Sequence, residues 1–184
     1  MDRESGTTVL TQDDLRVVGV WALGCVERVL PVFEVRVPSD RRPREALDGL
    51  RAFVGGGKRT AQLRSLALAA HAAAREAGDP AAAAAARAAG GAAAIAYTHA
   101  HWTPDQEKHT LGPAAYAASA LELAAGGDSN VGEAGVQWAL EHASADVRAI
   151  LRRAPARGAG RGRLDALLHQ LDCGLRDGSS SQDH

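Results

Sequence analysis

Apolar residues recur along this chain at three- and four-residue intervals, the spacing that lines one side of a helix, and strand-like alternation is absent. Leu15, Val18, Ala22, Val26 and Val29 form the first stripe. It is opened by Thr11 with Asp13 and Asp14, a hydroxyl cap followed by carboxylates at the positive end of a helix dipole. That helix is predicted to reach about Leu30 before Pro31 stops or kinks it. Val32 to Val37, flanked by prolines, reads as an extended connection. Ser39 and Asp40 open a second stripe of Ala46, Leu47, Leu50, Phe53 and Val54, and Gly55 to Gly57 have too much backbone freedom to prolong it.

Thr60 begins a third helix with Leu63, Leu66, Ala70, Ala73 and Ala77 along one side. Gly78-Asp79-Pro80 is a stop and a restart together: a glycine end, an aspartate cap and a proline at the first helical position. The two flanking helices should therefore form a short-looped antiparallel pair. The fourth, Ala81 to about Tyr97, is mostly alanine, the residue with the highest helix propensity. Thr103-Pro104-Asp105-Gln106 restarts a fifth that runs to about Ala125, interrupted or bent at Gly112-Pro113. A sixth follows Asp128 to Asn130, Ser144 caps a seventh, 154–162 is a Gly/Arg linker, and Leu164 to Leu175 is the last. The pattern predicts an all-α chain: a single-domain bundle of about seven to eight helices over residues 10–176, with a flexible start at 1–9 and a disordered tail at 177–184.

Composition sharpens this picture. Two Phe, three Trp and two Tyr must serve a chain of 184 residues, so normal interior density requires helices brought close together through alanine. A formal charge of -1 with a pI near 6.7 lacks the basic excess of a nucleic-acid binder. No apolar run approaches the roughly 20 residues that span a bilayer, and the first six residues lack the basic and apolar regions of a secretory signal. Cys25 and Cys173 stand far apart, suggesting no disulfide and a reducing, cytoplasmic setting. Phosphate-loop, dinucleotide and nucleophile-elbow motifs are missing, and no cofactor is implied.

Bulky and titratable residues gather where the fourth helix gives way to the fifth: Tyr97, His99, His101, Trp102, Lys108, His109 and Tyr116. His109, Pro113 and Tyr116 share one helical side, and aromatic walls with a few polar groups are what a small-molecule pocket between these helices needs. A metal held by His99, His101 and His109 with Asp105 or Glu107 is disfavoured, since His-x-His is a strand or loop spacing and helical ligands recur four apart. Trp21 and Trp138 are further candidates for the pocket wall. His71, beside the apolar stripe of the third helix, and Glu27, four residues after Leu23, read first as boundary residues; with His109 they are the acid–base candidates should the chain be an enzyme.

Several segments carry a resemblance: Leu10 to Leu15, Cys25 to Pro31 (CVERVLP), Arg41 to Ala52 (RRPREALDGLRA), Ala69 to Arg75 (AAHAAAR), Asp79 to Gly90 (DPAAAAAARAAG), Lys108 to Ala118 (KHTLGPAAYAA) and Leu121 to Gly126. Together the chain resembles the actinobacterial "putative immunity protein" family, with its immunity-five-like domain, over residues 10 to 175. Pro113 departs from that pattern, which has an alanine-like helix former there. The resemblance implies an all-helical, non-secreted protein without catalysis, whose partner is a protein toxin that it binds and blocks inside the producing cell. The alternatives are a self-resistance protein that binds a small-molecule natural product, and an acid–base enzyme of secondary metabolism. Neither pattern nor resemblance sets an oligomeric state.

Overall fold

A computed structural model describes residues 9–98 and 106–177, apart from the side chains of 106 and 107. Nine helices and one short 3-10 turn account for the described elements: α1 Gln12–Glu27, α2 Leu30–Arg36, α3 Arg42–Val54, α4 Ala61–Glu76, α5 Pro80–Ala94, the turn Ile95–Tyr97, α6 Gln106–Ala124, α7 Ser129–Glu141, α8 Ala145–Leu151 and α9 Arg163–Asp177. One apolar core runs from Leu10 on the approach to α1 to Leu175 on α9. The expected start at 1–8, the tail at 178–184 and the Thr103 restart lie outside the described residues.

Cap chemistry sets most of these ends. Thr11 and Asp14 make a reciprocal capping box on α1, the Asp14 amide donating to the Thr11 hydroxyl at 3.1 Å and the Thr11 amide to the Asp14 carboxylate at 3.0 Å. Asp79 accepts from the Ala82 amide at 2.8 Å to open α5, behind Gly78 at φ +66, and Ser144 accepts from Val147 to open α8. Thr60 stands at the start of α4 in extended conformation, yet its hydroxyl makes no cap bond.

Two expectations need correction. Val32 to Val37 is not an extended connection, because Leu30–Arg36 is helical. Pro31 lies in the first turn of α2, where its missing N–H costs nothing, and the helix stops at Val37, whose α conformation the following Pro38 disfavours. Of the interruption or bend expected at Gly112-Pro113, the interruption does not occur: α6 continues to Ala124 with Pro113 inside.

α5 is the axis of the fold. Ten of its residues are buried, nine of them alanines, and α2, α3, α4 and α6 all pack on it. A helix so poor in side-chain area holds its neighbours by dispersion at short range rather than by interlocking bulk. α9 closes the other end through Leu167, Leu168, Leu171 and Leu175. There Arg163 forks onto the buried Glu122 of α6 at 2.8–3.0 Å. The Gly/Arg linker is partly tied down as well: the Arg157 amide donates to Asp172 at 2.9 Å, and Arg176 donates to the carbonyls of Ala154 and Pro155.

Candidate functional site

The alanine axis contains a diglycine, Gly90-Gly91, and both glycines are occupied from outside. A β-carbon on Gly90 would lie 3.0 Å from three atoms of the His71 imidazole, so that ring lies flat on the bare backbone of α5. A β-carbon on Gly91 would sit 3.5 Å from Cγ of Pro113, so α6 seats its proline ring against the next position. α4 and α6 thus reach α5 side by side, one through an imidazole and the other through a pyrrolidine.

His71 is half-buried there, and Arg75 on α4, Arg87 on α5 and His109 on α6 all act on it electrostatically. Burial first, then the electrostatic effect of the three, holds its pKa below the usual imidazole value. Arg75 and His109 are exposed and Arg87 is partly so, and neither arginine has an ion pair among the described residues. Glu76, adjacent to Arg75, is engaged by Arg42 at 2.6 Å. Along α4 the positions Arg64, Leu68, His71 and Arg75 continue this face at intervals of four, three and four, with Leu68 61% exposed.

The residues singled out in the sequence divide between this face and other places. His109 acts on His71 electrostatically; Lys108 is exposed beside His109 in the first turns of α6. Tyr116, two turns further along α6, is half-buried and packs on the core. Tyr97 lies in the 3-10 turn after α5, its ring 5.8 Å from the Arg59 guanidinium, which also donates to the Ala96 carbonyl at 3.0 Å. Among the described residues, the buried hydroxyls of Tyr97 and Thr98 have no hydrogen-bond partner. His99, His101 and Trp102, and with them the metal reading, lie outside the described residues.

Glu27 does not join His71 and His109. Its carboxylate pairs with Arg51 of α3, which also holds Asp48. Trp21 and Trp138 belong to the α1–α7 contact: the Trp21 indole N–H donates to the Ala139 carbonyl at 2.8 Å, while Trp138 carries Arg28 at 4.1 Å and stacks on His142 at 3.8 Å. Trp21 and His142 line a pocket of about 270 Å³ with Val17 and Val20. A groove of about 660 Å³ opens between α3 and α4 over Phe53, Leu63 and Leu66, rimmed by Glu45, Asp48 and Lys58. Among the described residues, none of those expected to bind a ligand lines it. Burial pushes the Cys25 thiol up to about 12, so it is an inert core residue.

Sequence reasoning left Arg75, Arg87 and the two glycines out of the site. The available signal was the pair of interruptions in an alanine helix, Arg87 and the diglycine, together with the helical spacing of Arg64, His71 and Arg75.

Among the described residues no helix is long and apolar enough to cross a membrane. No curated protein and no solved structure matches the chain. The family model described as "Imm-5 like putative immunity protein" matches residues 8–146, which takes in α1 to α7, the diglycine and the whole His71 face. The chain belongs to the Imm-5-like immunity protein family.

Proposed function

We propose that this protein neutralises a protein toxin by binding it, without catalysis, and that the α4–α5–α6 face is the docking surface. The observation that supports this reading is the outward stripe of α4, where Arg64, His71 and Arg75 surround an exposed leucine, Leu68. Elsewhere many arginines are neutralised within the fold, as in Arg36–Asp79, Arg44–Glu34 and Arg163–Glu122. Two arginines, Arg64 and Arg75, without an ion pair among the described residues around an apolar side chain suit a partner surface that is acidic with an apolar recess. Such complementarity fixes orientation and speeds encounter, while the desolvated leucine supplies affinity.

The test is growth of cells that express a toxin identified among the neighbouring genes together with the immunity chain. Wild type should restore growth, and the double variant Leu68→Glu with Arg75→Glu should not, while keeping its helical circular dichroism. Full rescue by that folded variant would move the docking surface elsewhere. Absence of rescue by wild type against that toxin would refute the reading itself.

A further inference from the structure

The groove of about 660 Å³ between α3 and α4 has a fixed floor and a fixed end wall. Its floor is apolar: Leu63 and Leu66 lie on the bare backbone of Gly49, where a β-carbon would fall 2.9 Å from Cδ1 of each, and Phe53 continues it. The end wall is the turn from Gly57 to Thr60. Gly57 folds back until its amide donates to the Ala52 carbonyl at 2.9 Å, so close that a β-carbon on the glycine would lie 2.6 Å from that oxygen. Arg16 donates to the Gly57 carbonyl at 3.3 Å and Arg59 to that of Ala96 at 3.0 Å, so Lys58 stands between two anchored residues. Charge divides along the groove. Glu45 and Asp48 stand on the α3 wall; Arg51 holds Asp48, whereas Glu45 has no ion pair among the described residues. At the other end Lys58 likewise has none, and beside it are the Gln62 amide and the Thr60 hydroxyl, which makes no cap bond. From Glu45 to Ala52 is two turns of α3, about 10 Å, and Lys58 lies just beyond, one residue past the Gly57 amide that bonds Ala52.

We infer that this groove binds the carboxyl end of a polypeptide whose last side chain is apolar and which carries a lysine or arginine three residues earlier. A terminal carboxylate accepts several hydrogen bonds and suits the end where an ammonium, a hydroxyl and an amide converge. The last side chain then lies on Phe53 and Leu63. An extended chain advances about 3.3 Å per residue, so three residues cover the distance back to Glu45, whose carboxylate meets the basic side chain. The volume lies within the roughly 300–1,000 Å³ of small-ligand sites, room for a few residues of chain. Because bonds within the fold already hold the floor and the end wall, little ordering is left to oppose binding. The site is independent of the toxin reading, which rests on the outward stripe of α4.

The experiment is an NMR titration of the full chain, isotope-labelled at its leucine methyls, with acetyl-Lys-Ala-Ala-Leu bearing a free carboxyl end. The Leu63 and Leu66 signals should move saturably. The same peptide with an amidated end should bind about tenfold more weakly, as should the free-ended peptide on Lys58→Gln, each losing one charge-assisted partner. Glu45→Gln should weaken binding about threefold, since that pair is exposed. Glu45→Lys should shift the preference to acetyl-Glu-Ala-Ala-Leu, an exchange that a merely structural Glu45 would not produce. Ala52→Trp, on the exposed wall of α3, should abolish binding while helical circular dichroism is kept. Shifts that stay linear in peptide would overturn the inference. So would equal affinity for the free and amidated ends, which would assign the groove to an internal segment of a partner chain. Methyl shifts that track protein concentration with no peptide present would assign it to a second copy and overturn the inference as well. Failure to neutralise a toxin would leave the peptide shifts untouched.

Discussion

A single missing β-carbon governs the electrostatics of His71. Its ring occupies the space that any side chain at position 90 would claim, with three ring atoms 3.0 Å from that point. Gly90→Ala should gain up to about 1 kcal/mol of helix propensity while driving the ring outward toward water. The expected result is a His71 pKa raised toward the ordinary 6.5, read by NMR titration; an unchanged value would mean that burial on Gly90 is not its cause. The sign for stability follows. Because the folded pKa lies below the unfolded one, the unfolded chain takes the proton first, so His71 costs stability as pH falls below about 6.5 and through the folded value. The variant should flatten that slope. His71 itself was legible as a boundary histidine, since it sits beside the apolar stripe of its helix. Its neighbours Arg87 and His109 were not, because proximity between helices is set by packing and leaves no local spacing to read.

Among the elements, α5 was the most legible and α2 the least. An alanine run bounded by Asp79-Pro80 has no competing conformation, whereas the brief Leu30–Arg36 helix contains two valines and a proline and is held by tertiary contact through Leu30 and Phe33. The two are joined by one carboxylate: Asp79 caps α5 and also pairs with Arg36 of α2 at 3.0 Å. Asp79→Ala should cost about 1 kcal/mol from the cap alone, lowering the melting temperature by roughly 2–4 °C for a chain of this size. The ion pair is too exposed to add much. Asp79→Asn, which can still cap but carries no charge, should recover most of the loss; if it does not, the pair with Arg36 outweighs the cap.

Across the whole molecule, a partly buried ion pair adds to the leucine contacts that hold the C-terminal helix. Glu122 and Arg163 join α6 to α9, and Gly132 of α7 leaves the room, since a β-carbon there would fall 2.0 Å from a Glu122 oxygen. Arg163→Ala should cost roughly 1–3 kcal/mol, because it strands a buried carboxylate, with the lower part of that range favoured by the partial exposure of the arginine. Chemical denaturation would measure it, and a loss near zero would show that water replaces the guanidinium. The bundle was legible from periodicity and caps. The way its helices lie against one another was not, and α5 explains why. Its alanines are nearly interchangeable, so a neighbouring helix could slide by one turn, about 5.4 Å, and meet an almost identical surface. Gly90-Gly91 removes that degeneracy. With an imidazole seated on one glycine and a proline ring on the other, α4 and α6 each have a single resting position, and the diglycine acts as the detent that selects one packing from several of nearly equal energy.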